Sequence, residues 1–310
     1  MMPFSLAPTA LFELLARIYG FIFACSVISF AHPRLRRAEA RPIRQAINSW
    51  WPPALAGGLC VALGAWAALG VFALTSGWTL REYLRTQGAE RDPRLDALAY
   101  LVVPLHFGAI ATGNARLVSG LWLFWTFGIL TLASLRLGGD RPIARAARLQ
   151  LGVVWTVFSL GHVPWFFFHG PLPGPSGAAG FVLLLLLSVM TSDAGQYVTG
   201  KALGRHRLAP TLSPRKTWEG LLGGMAISAL VAGLAAPSIT PFTHAQGALL
   251  GAALSGLGLL GDLTVSGLKR EVGLKDLGTA LPGQGGLLDR CDSLILTAPL
   301  FFTAVQAWFG

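Results

Sequence analysis

Long apolar stretches separated by short polar loops run through the whole chain. Each stretch is 17 to 27 residues long, close to the length of a helix that crosses the roughly 30 Å hydrocarbon core of a membrane. The nine stretches lie at 5–31, 51–75, 97–113, 117–135, 149–168, 176–192, 219–237, 245–262 and 291–309. The pattern predicts an all-α fold, a polytopic membrane helical bundle with about nine transmembrane segments.

Basic residues mark one face of that bundle. The loops 193–218 and 263–290 are rich in Lys and Arg, whereas 169–175 and 238–244 contain neither. Because cytoplasmic loops carry an excess of positive charge, we expect the two basic loops to face the cytoplasm.

The N-terminal third does not fit a simple alternation of sides. Alternation would place the arginine-rich loop 32–50 opposite the two basic loops. The glycine-containing stretch 51–75 therefore suggests a bent or re-entrant segment that returns the chain to the cytoplasmic face. No internal repeat or low-complexity linker divides the chain, so we expect one integral membrane domain over 1–310, with N-terminal helices at 1–175 and a catalytic half at 176–310.

Composition narrows the class of protein. The chain is 53% hydrophobic and only 12% charged, which argues against a soluble two-domain enzyme. The net charge of +10 comes from Lys and Arg in short loops, where they contact anionic lipid headgroups, so we expect no nucleic-acid partner. Cys25, Cys60 and Cys291 show no CxxC or Cys/His spacing, and neither a disulfide framework nor a zinc site is predicted.

The segment 261–293 carries the densest charge of the chain, with five of the 14 acidic residues. On a helix, Asp262 and Lys269 are seven positions apart and share a face, and Asp289 and Asp292, three apart, share another. Carboxylates from two helices would then reach a common cation, and magnesium takes one or two carboxylates together with phosphate oxygens. The cations predicted to face the remaining phosphate oxygens are Lys216, Lys269 and Arg270.

A second polar segment, 192–220, carries Asp193 at the end of an apolar stretch. Residues 213–219 precede the next predicted helix, and free N–H groups at a helix start favour phosphate. Residues 195–201 imitate the G-x-x-x-x-G-K spacing of a P-loop. However, Ala202 stands where a P-loop has Ser or Thr, and the preceding residues have the pattern of a membrane helix, so we reject a P-loop.

Isolated polar residues within apolar stretches have structural interpretations. His106 and His162 are expected to form hydrogen bonds between helices. Arg81 and Glu82 are expected to mark an interfacial helix end, with the border of a substrate groove as the alternative.

The polar positions of both segments closely resemble the signatures of the phosphatidate cytidylyltransferases, the CDP-diacylglycerol synthases. The C-terminal family signature runs S-x-x-K-R-x-x-x-x-K-D and, after a spacer, H-G-G-x-x-D-R-x-D. The matching positions here are Ser266, Lys269, Arg270, Lys275, Asp276, Gln284, Gly285, Gly286, Asp289, Arg290 and Asp292. An upstream motif, S-P-x-K-T-W-x-G, is matched by Ser213, Pro214, Lys216, Thr217, Trp218 and Gly220, with Asp193 before it. The similarity is tight over about 190–300 and loose before that.

The resemblance implies transfer of CMP from CTP to phosphatidic acid, with CDP-diacylglycerol and pyrophosphate as products. It implies magnesium held by Asp262 and Asp289, with Asp292 and Asp193 as near alternatives, and a monovalent cation such as potassium as an optional addition. The implied catalytic residues are Lys216, Lys269, Arg270, Asp276 and Asp292. The implied substrate-binding residues are Asp193, Ser213, Thr217, Lys275, Gly283, Gln284, Gly285, Gly286 and Arg290.

The same resemblance implies the setting of the reaction. The partners would be CTP, phosphatidic acid and the surrounding membrane lipids, and a homodimer would be typical of the family. The location would be the bacterial inner (plasma) membrane, with the active site facing the cytoplasm.

Two departures from the family pattern keep alternatives open. Gln284 replaces the family histidine, and Val265 stands where a glutamate is common. Glutamine can hydrogen-bond a phosphate, but it cannot carry a proton or a positive charge. The alternatives are cytidylyl transfer to another lipid phosphate, such as an isoprenoid one, and a catalytically silent lipid-binding homologue. A transporter is disfavoured because the acidic residues cluster at one face and no inverted repeat is evident.

Overall fold

The described residues form a bundle of α-helices, as the sequence pattern predicts, together with one small β-hairpin. The computed structural model describes residues 9–31, 51–88, 91–137, 139, 141–280 and 285–309. Its helices are α1 (Thr9–Ala31), α2 (Trp51–Leu63), α3 (Ala65–Arg85), α4 (Pro93–Ala111), α5 (Ala115–Leu137), α6 (Pro142–Phe168), α7 (Gly177–Leu203), α8 (Trp218–Ile239), α9 (His244–Glu271), α10 (Leu288–Cys291) and α11 (Leu294–Phe309). Helices α5 and α6 contain π-helical turns at Phe124–Ile129 and Val154–Phe158.

Eight helical segments of the described residues are long and apolar enough to cross a membrane. They are α1, the six helices from α4 to α9, and the α10–α11 segment Leu288–Phe309. The stretch 51–75, predicted as a single span, instead forms two helices that meet at Gly64. The φ of Gly64 is 76°, a backbone conformation that glycine adopts without steric cost. The stretch is therefore broken at Gly64, and neither of its two helices is among the eight long apolar segments, where the pattern indicated about nine. A return of the chain to the cytoplasmic face stays a prediction.

The half of the chain that the sequence predicts to be catalytic, 176–310, is built on a tight packing of α7, α8 and α9. Small residues let these helices approach closely, as lipid-embedded helices commonly do. A Cβ on Gly251 of α9 would overlap the Ser228 carbonyl oxygen of α8 and lie 2.8 Å from the Ala232 Cβ. Ser228 also donates from Oγ to the Ser188 carbonyl oxygen of α7 at 2.9 Å. The three helices therefore form a fixed frame for the side chains at their ends.

Two helices run further than the apolar pattern indicated. Helix α7 continues to Leu203, past the predicted end at 192, and places 195–201 on a helix, which confirms that this segment is not a P-loop. Helix α9 continues past 262 to Glu271. Each extension carries polar side chains, and Asp193 of α7 and Asp262 near the end of the apolar part of α9 lie close together at the same end of the bundle.

A β-hairpin that the sequence did not predict lies between α7 and α8. Its strands are β1 (Arg207–Ala209) and β2 (Ser213–Thr217), which are antiparallel and pair Arg207 with Thr217 and Ala209 with Ser213. Strand β2 leads directly into α8. Thr217 caps that helix by accepting a hydrogen bond from the Gly220 amide at 3.1 Å.

The sequence predicts that the two buried histidines form hydrogen bonds between helices, and this prediction is wrong for the described residues. His162 Nδ1 lies 2.9 Å from the carbonyl oxygen of Phe158 in its own helix. Neither ring nitrogen of the buried His106 has a hydrogen-bond partner among the described residues. Its ring packs against Phe107, Trp122 and Phe158. Both histidines therefore contribute to the packing of the apolar core.

Candidate active site

Three carboxylates and one lysine meet where α7, α9 and α11 come together. Lys216 Nζ lies 2.6 Å from Asp262 Oδ2. Asp193 and Asp292 each interact electrostatically with both of these side chains. We call Asp193, Lys216, Asp262 and Asp292 the acid-lysine cluster. Asp193 is exposed and the other three are half-buried, so the cluster is open to a ligand.

Each member of the cluster comes from a different element. Asp193 lies in the extended part of α7, Lys216 in β2, Asp262 in α9, and Asp292 directly after α10. Ser293 ties two of them together: its amide donates to Asp292 Oδ1 at 2.8 Å and its hydroxyl donates to Asp193 Oδ2 at 3.3 Å. The cluster therefore depends on the tertiary packing of the whole catalytic half.

Lys216 is held as a cation by its acidic neighbours. Burial opposes the charged form, but Asp262 and Asp193 outweigh burial and raise the pKa of Lys216 above its ordinary value. Its Nζ also donates to Gln196 Oε1 at 3.3 Å. A fixed positive charge beside three carboxylates suits a site that binds phosphate together with a divalent cation.

Asp289 lies in a second, separate group of contacts. Its Oδ1 accepts from Lys269 Nζ at 2.9 Å, and its Oδ2 accepts from the amides of Leu277 and Gly286, both at 2.9 Å. The side chain is 4% exposed. Asp289 and Asp292 thus have different partners, which differs from the expectation that they face one cation, because Lys269 and two amides occupy the oxygens of Asp289.

Asp262 and Lys269 do share a face of α9, as their spacing predicts. Ser266 lies between them and donates from Oγ to Asp262 Oδ1 at 3.2 Å. Lys269, on the same face, forms a salt bridge with Asp289. The face links the acid-lysine cluster to the Asp289 group.

The other predicted site residues lie around these two groups. Arg270 is exposed and donates from Nε to the Leu212 carbonyl oxygen at 3.2 Å, which holds the hairpin against α9. Lys275 and Asp276 are exposed in the segment after α9. Arg290 is exposed and interacts electrostatically with Asp193.

Four predicted positions have backbone or capping roles, and two more lie outside the described part. Ser213 begins β2, opposite Ala209, and Thr217 has the capping role given above. Gly285 has a φ of 89°, and the Gly286 amide binds Asp289. Gly283 and Gln284 lie outside the described residues.

The structure adds residues that the sequence did not single out. Gln196 connects Lys216 to the interior of the fold, because its Nε2 donates to Ser192 Oγ at 2.9 Å. On a helix, Gln196 shares a face with Asp193, three residues earlier, but the sequence pattern ended the helix at 192 and so did not reveal this. Glu82, which the sequence pattern placed at an interfacial helix end, lies in the last turn of α3 and is 2% exposed.

The donor set fits a metal that a substrate helps to hold. Within the part of the chain that the structure describes, no group of three or more His, Cys, Asp or Glu side chains is arranged to hold a metal ion. Magnesium typically keeps only one or two protein carboxylates and completes its shell with phosphate oxygens and water. Asp262, with Asp193 and Asp292 nearby, supplies that number of ligands.

Comparison with known proteins points to one family. A family model described as "Cytidylyltransferase family" matches residues 44–308. The uncharacterised protein YnbB of Escherichia coli is 34% identical over 296 residues, which cover 94% of this chain and 97% of that protein. The phosphatidate cytidylyltransferase of Mycobacterium bovis is 33% identical over 238 residues, covering 69% of this chain and 73% of that protein. That of Staphylococcus aureus is 45% identical over 122 residues, 39% of this chain and 46% of that protein.

Proposed function

This chain belongs to the cytidylyltransferase family, and we propose that it is a phosphatidate cytidylyltransferase, which transfers CMP from CTP to phosphatidic acid. The products are CDP-diacylglycerol, which stays in the membrane, and pyrophosphate. The names of the relatives from Mycobacterium bovis and Staphylococcus aureus support this activity. The observation that carries it is the acid-lysine cluster, where three carboxylates surround a cationic lysine at one end of a membrane bundle.

The reaction is a displacement at phosphorus. An oxygen of the lipid phosphate forms a bond to the α-phosphorus of CTP, and the bond from that phosphorus to the bridging oxygen of the β-phosphate breaks. Pyrophosphate leaves with the electron pair. Catalysis of such a step is mainly positioning and stabilisation of negative charge, so no protein nucleophile is required.

The cations at this end of the bundle are suited to the triphosphate. Lys216 lies within the cluster, and Lys269 and Arg270 follow on α9. Exposed Lys275 and Arg290 add positive charge around them. Hydrogen bonds from cations to phosphate are short and strong, so these side chains would orient the α-phosphorus toward the lipid.

We propose that Asp262 holds magnesium, together with Asp193 or Asp292. When bound, magnesium would neutralise charge on the triphosphate oxygens. Asp289 is the second metal residue implied by the family pattern, and its three protein contacts favour a supporting role through Lys269. A monovalent cation such as potassium stays part of the proposal as an optional addition.

A strong general base is dispensable in this reaction. The second pKa of a phosphate monoester is about 6, so phosphatidic acid is largely ionised near neutral pH. Gln284 in place of the family histidine is therefore compatible with transfer, because a glutamine amide can still donate a hydrogen bond to phosphate.

We propose that the acid-lysine cluster faces the cytoplasm, where CTP is available. The two basic loops belong to the same end of the bundle, since Arg270 contacts the hairpin and Lys216 contacts α9. Their positive charge favours the cytoplasmic side of a bacterial inner membrane.

The test is CMP transfer by the purified protein in liposomes that contain phosphatidic acid and magnesium. With CTP labelled at the α-phosphate, we expect label in the lipid extract; with label at the γ-phosphate, we expect it in pyrophosphate. Diacylglycerol replaces phosphatidic acid in the control, and it should accept no label because it lacks a phosphate. The variant Gln284→His shows whether glutamine reduces the rate. Absence of labelled lipid with both the wild-type chain and Gln284→His would refute the proposed function.

A further inference from the structure

A buried glutamate from the N-terminal half reaches into the catalytic half. Glu82 lies on α3 and is 2% exposed. Its Oε1 accepts from the Leu287 amide at 3.0 Å, and its Oε2 accepts from the Leu288 amide at 2.8 Å. These contacts join residues more than 200 positions apart in the sequence.

The carboxylate fits closely into a pocket of backbone. A Cβ on Gly286 would lie 2.5 Å from Glu82 Oε2 and 2.8 Å from the Gly278 amide nitrogen. Trp78 Nε1, one turn earlier on α3, donates to Glu82 Oε1 at 3.1 Å. Both oxygens are therefore satisfied by N–H groups, which offsets the cost of burying the side chain.

The amides that Glu82 accepts from are those at the start of α10. A helix leaves its first N–H groups without intrahelical partners, and a carboxylate satisfies them well. Asp289 follows Leu288 directly, and Asp292 is the residue after the end of α10. The position of Glu82 thus determines where both carboxylates are held.

We propose that Glu82 is a positioning residue for the catalytic half. Its carboxylate fixes the start of α10, so that Asp289 meets Lys269 and Asp292 lies within the acid-lysine cluster. Glu82 itself does not join the cluster. The effect on transfer rests on the proposed function, whereas the anchoring of α10 does not.

Cys291 provides a readout of the anchoring that needs no substrate. It is the last residue of α10 and is 8% exposed. A buried thiol reacts with a maleimide only when the structure opens locally. Peptide mass spectrometry after timed labelling separates Cys291 from Cys25 and Cys60.

The experiment compares Glu82→Ala and Glu82→Gln with Arg85→Gln, an exposed charge change three residues further on the same helix. We expect labelling of Cys291 to become about tenfold faster in Glu82→Ala, because the amides of Leu287 and Leu288 lose a charged acceptor. We expect a smaller increase in Glu82→Gln, which keeps one carbonyl oxygen, and no change in Arg85→Gln.

Transfer assays on the same variants test the effect on the site. The kcat per folded protein should fall about 10- to 100-fold in Glu82→Ala. The magnesium concentration for half-maximal rate should rise, because Asp292 is displaced; a smaller folded fraction would not change that concentration.

Unchanged labelling of Cys291 in Glu82→Ala would overturn the anchoring. Faster labelling with a wild-type kcat and magnesium dependence would overturn the positioning role. If Glu82→Ala does not fold, the same comparisons on the isosteric Glu82→Gln decide. A wild-type chain that transfers no CMP would contradict only the proposed function, since the labelling result stands by itself.

Discussion

At the scale of single residues, two aspartates three positions apart have different surroundings. Asp289 is buried and uses both oxygens for Lys269 and two amides. Asp292 faces other carboxylates and a lysine that are open to a ligand. A carboxylate saturated by protein donors stabilises the fold, whereas one among like charges is available to a cation.

We expect Asp289→Asn to destabilise the protein. The change removes the charge that pairs with Lys269, whose side chain is 17% exposed. Breaking a buried ion pair from one side costs about 3 kcal/mol, since the remaining charge loses its partner. Equilibrium unfolding in mixed detergent and SDS micelles measures this loss.

The exposed Asp276→Asn is the matched control, and its stability should stay within about 0.5 kcal/mol of the wild type. Equal stability of Asp289→Asn and the wild-type chain would show that the contacts of Asp289 do not stabilise the protein.

At the scale of elements, the site depends on how α7, α8 and α9 pack. Strand β2 leads into α8 and carries Lys216, while α9 carries Asp262. The 2.6 Å contact between Lys216 and Asp262 therefore joins α9 to the strand that leads into α8. A shift of either helix by about 1 Å is enough to impair catalysis.

We expect Gly251→Val to separate α8 from α9 and to reduce transfer. The new side chain would overlap the Ser228 carbonyl oxygen, and overpacking of this kind costs about 1–3 kcal/mol. Thermal unfolding and transfer rate are the measurements.

Gly256→Val makes the same chemical change on the same helix at a position with open space around its Cβ. We expect it to behave like the wild type in both assays. A loss of activity of the same size in both variants would mean that valine harms the helix itself and not its packing.

The helices were predictable from hydropathy, but their ends were not. The apolar pattern ends α7 at 192 because Asp193 is charged, yet the helix continues since its polar face meets the acid-lysine cluster. The hairpin was hidden because Pro210 and Pro214 give its segment the composition of a loop. Local sequence does not report tertiary contacts such as that between Arg270 and Leu212.

At the scale of the whole molecule, Glu82 of the N-terminal half contacts the segment of the C-terminal half that carries Asp289 and Asp292. Residue types and motif spacing singled out all four members of the acid-lysine cluster. They did not show which carboxylates meet, because the partners of Asp262 and Asp289 come from different elements. The role of Glu82 was not visible either, since its contacts are more than 200 residues away.

The central claim is that the acid-lysine cluster carries CMP transfer, and the most direct measurement is the transfer rate of Asp262→Asn. We compare it with the wild type and with Glu271→Gln, an exposed change at the end of the same helix. We predict that Asp262→Asn loses about 100-fold or more in rate while Glu271→Gln keeps the wild-type rate, because Asp262, unlike Glu271, is placed to hold magnesium and Lys216. A wild-type rate for Asp262→Asn would contradict the account.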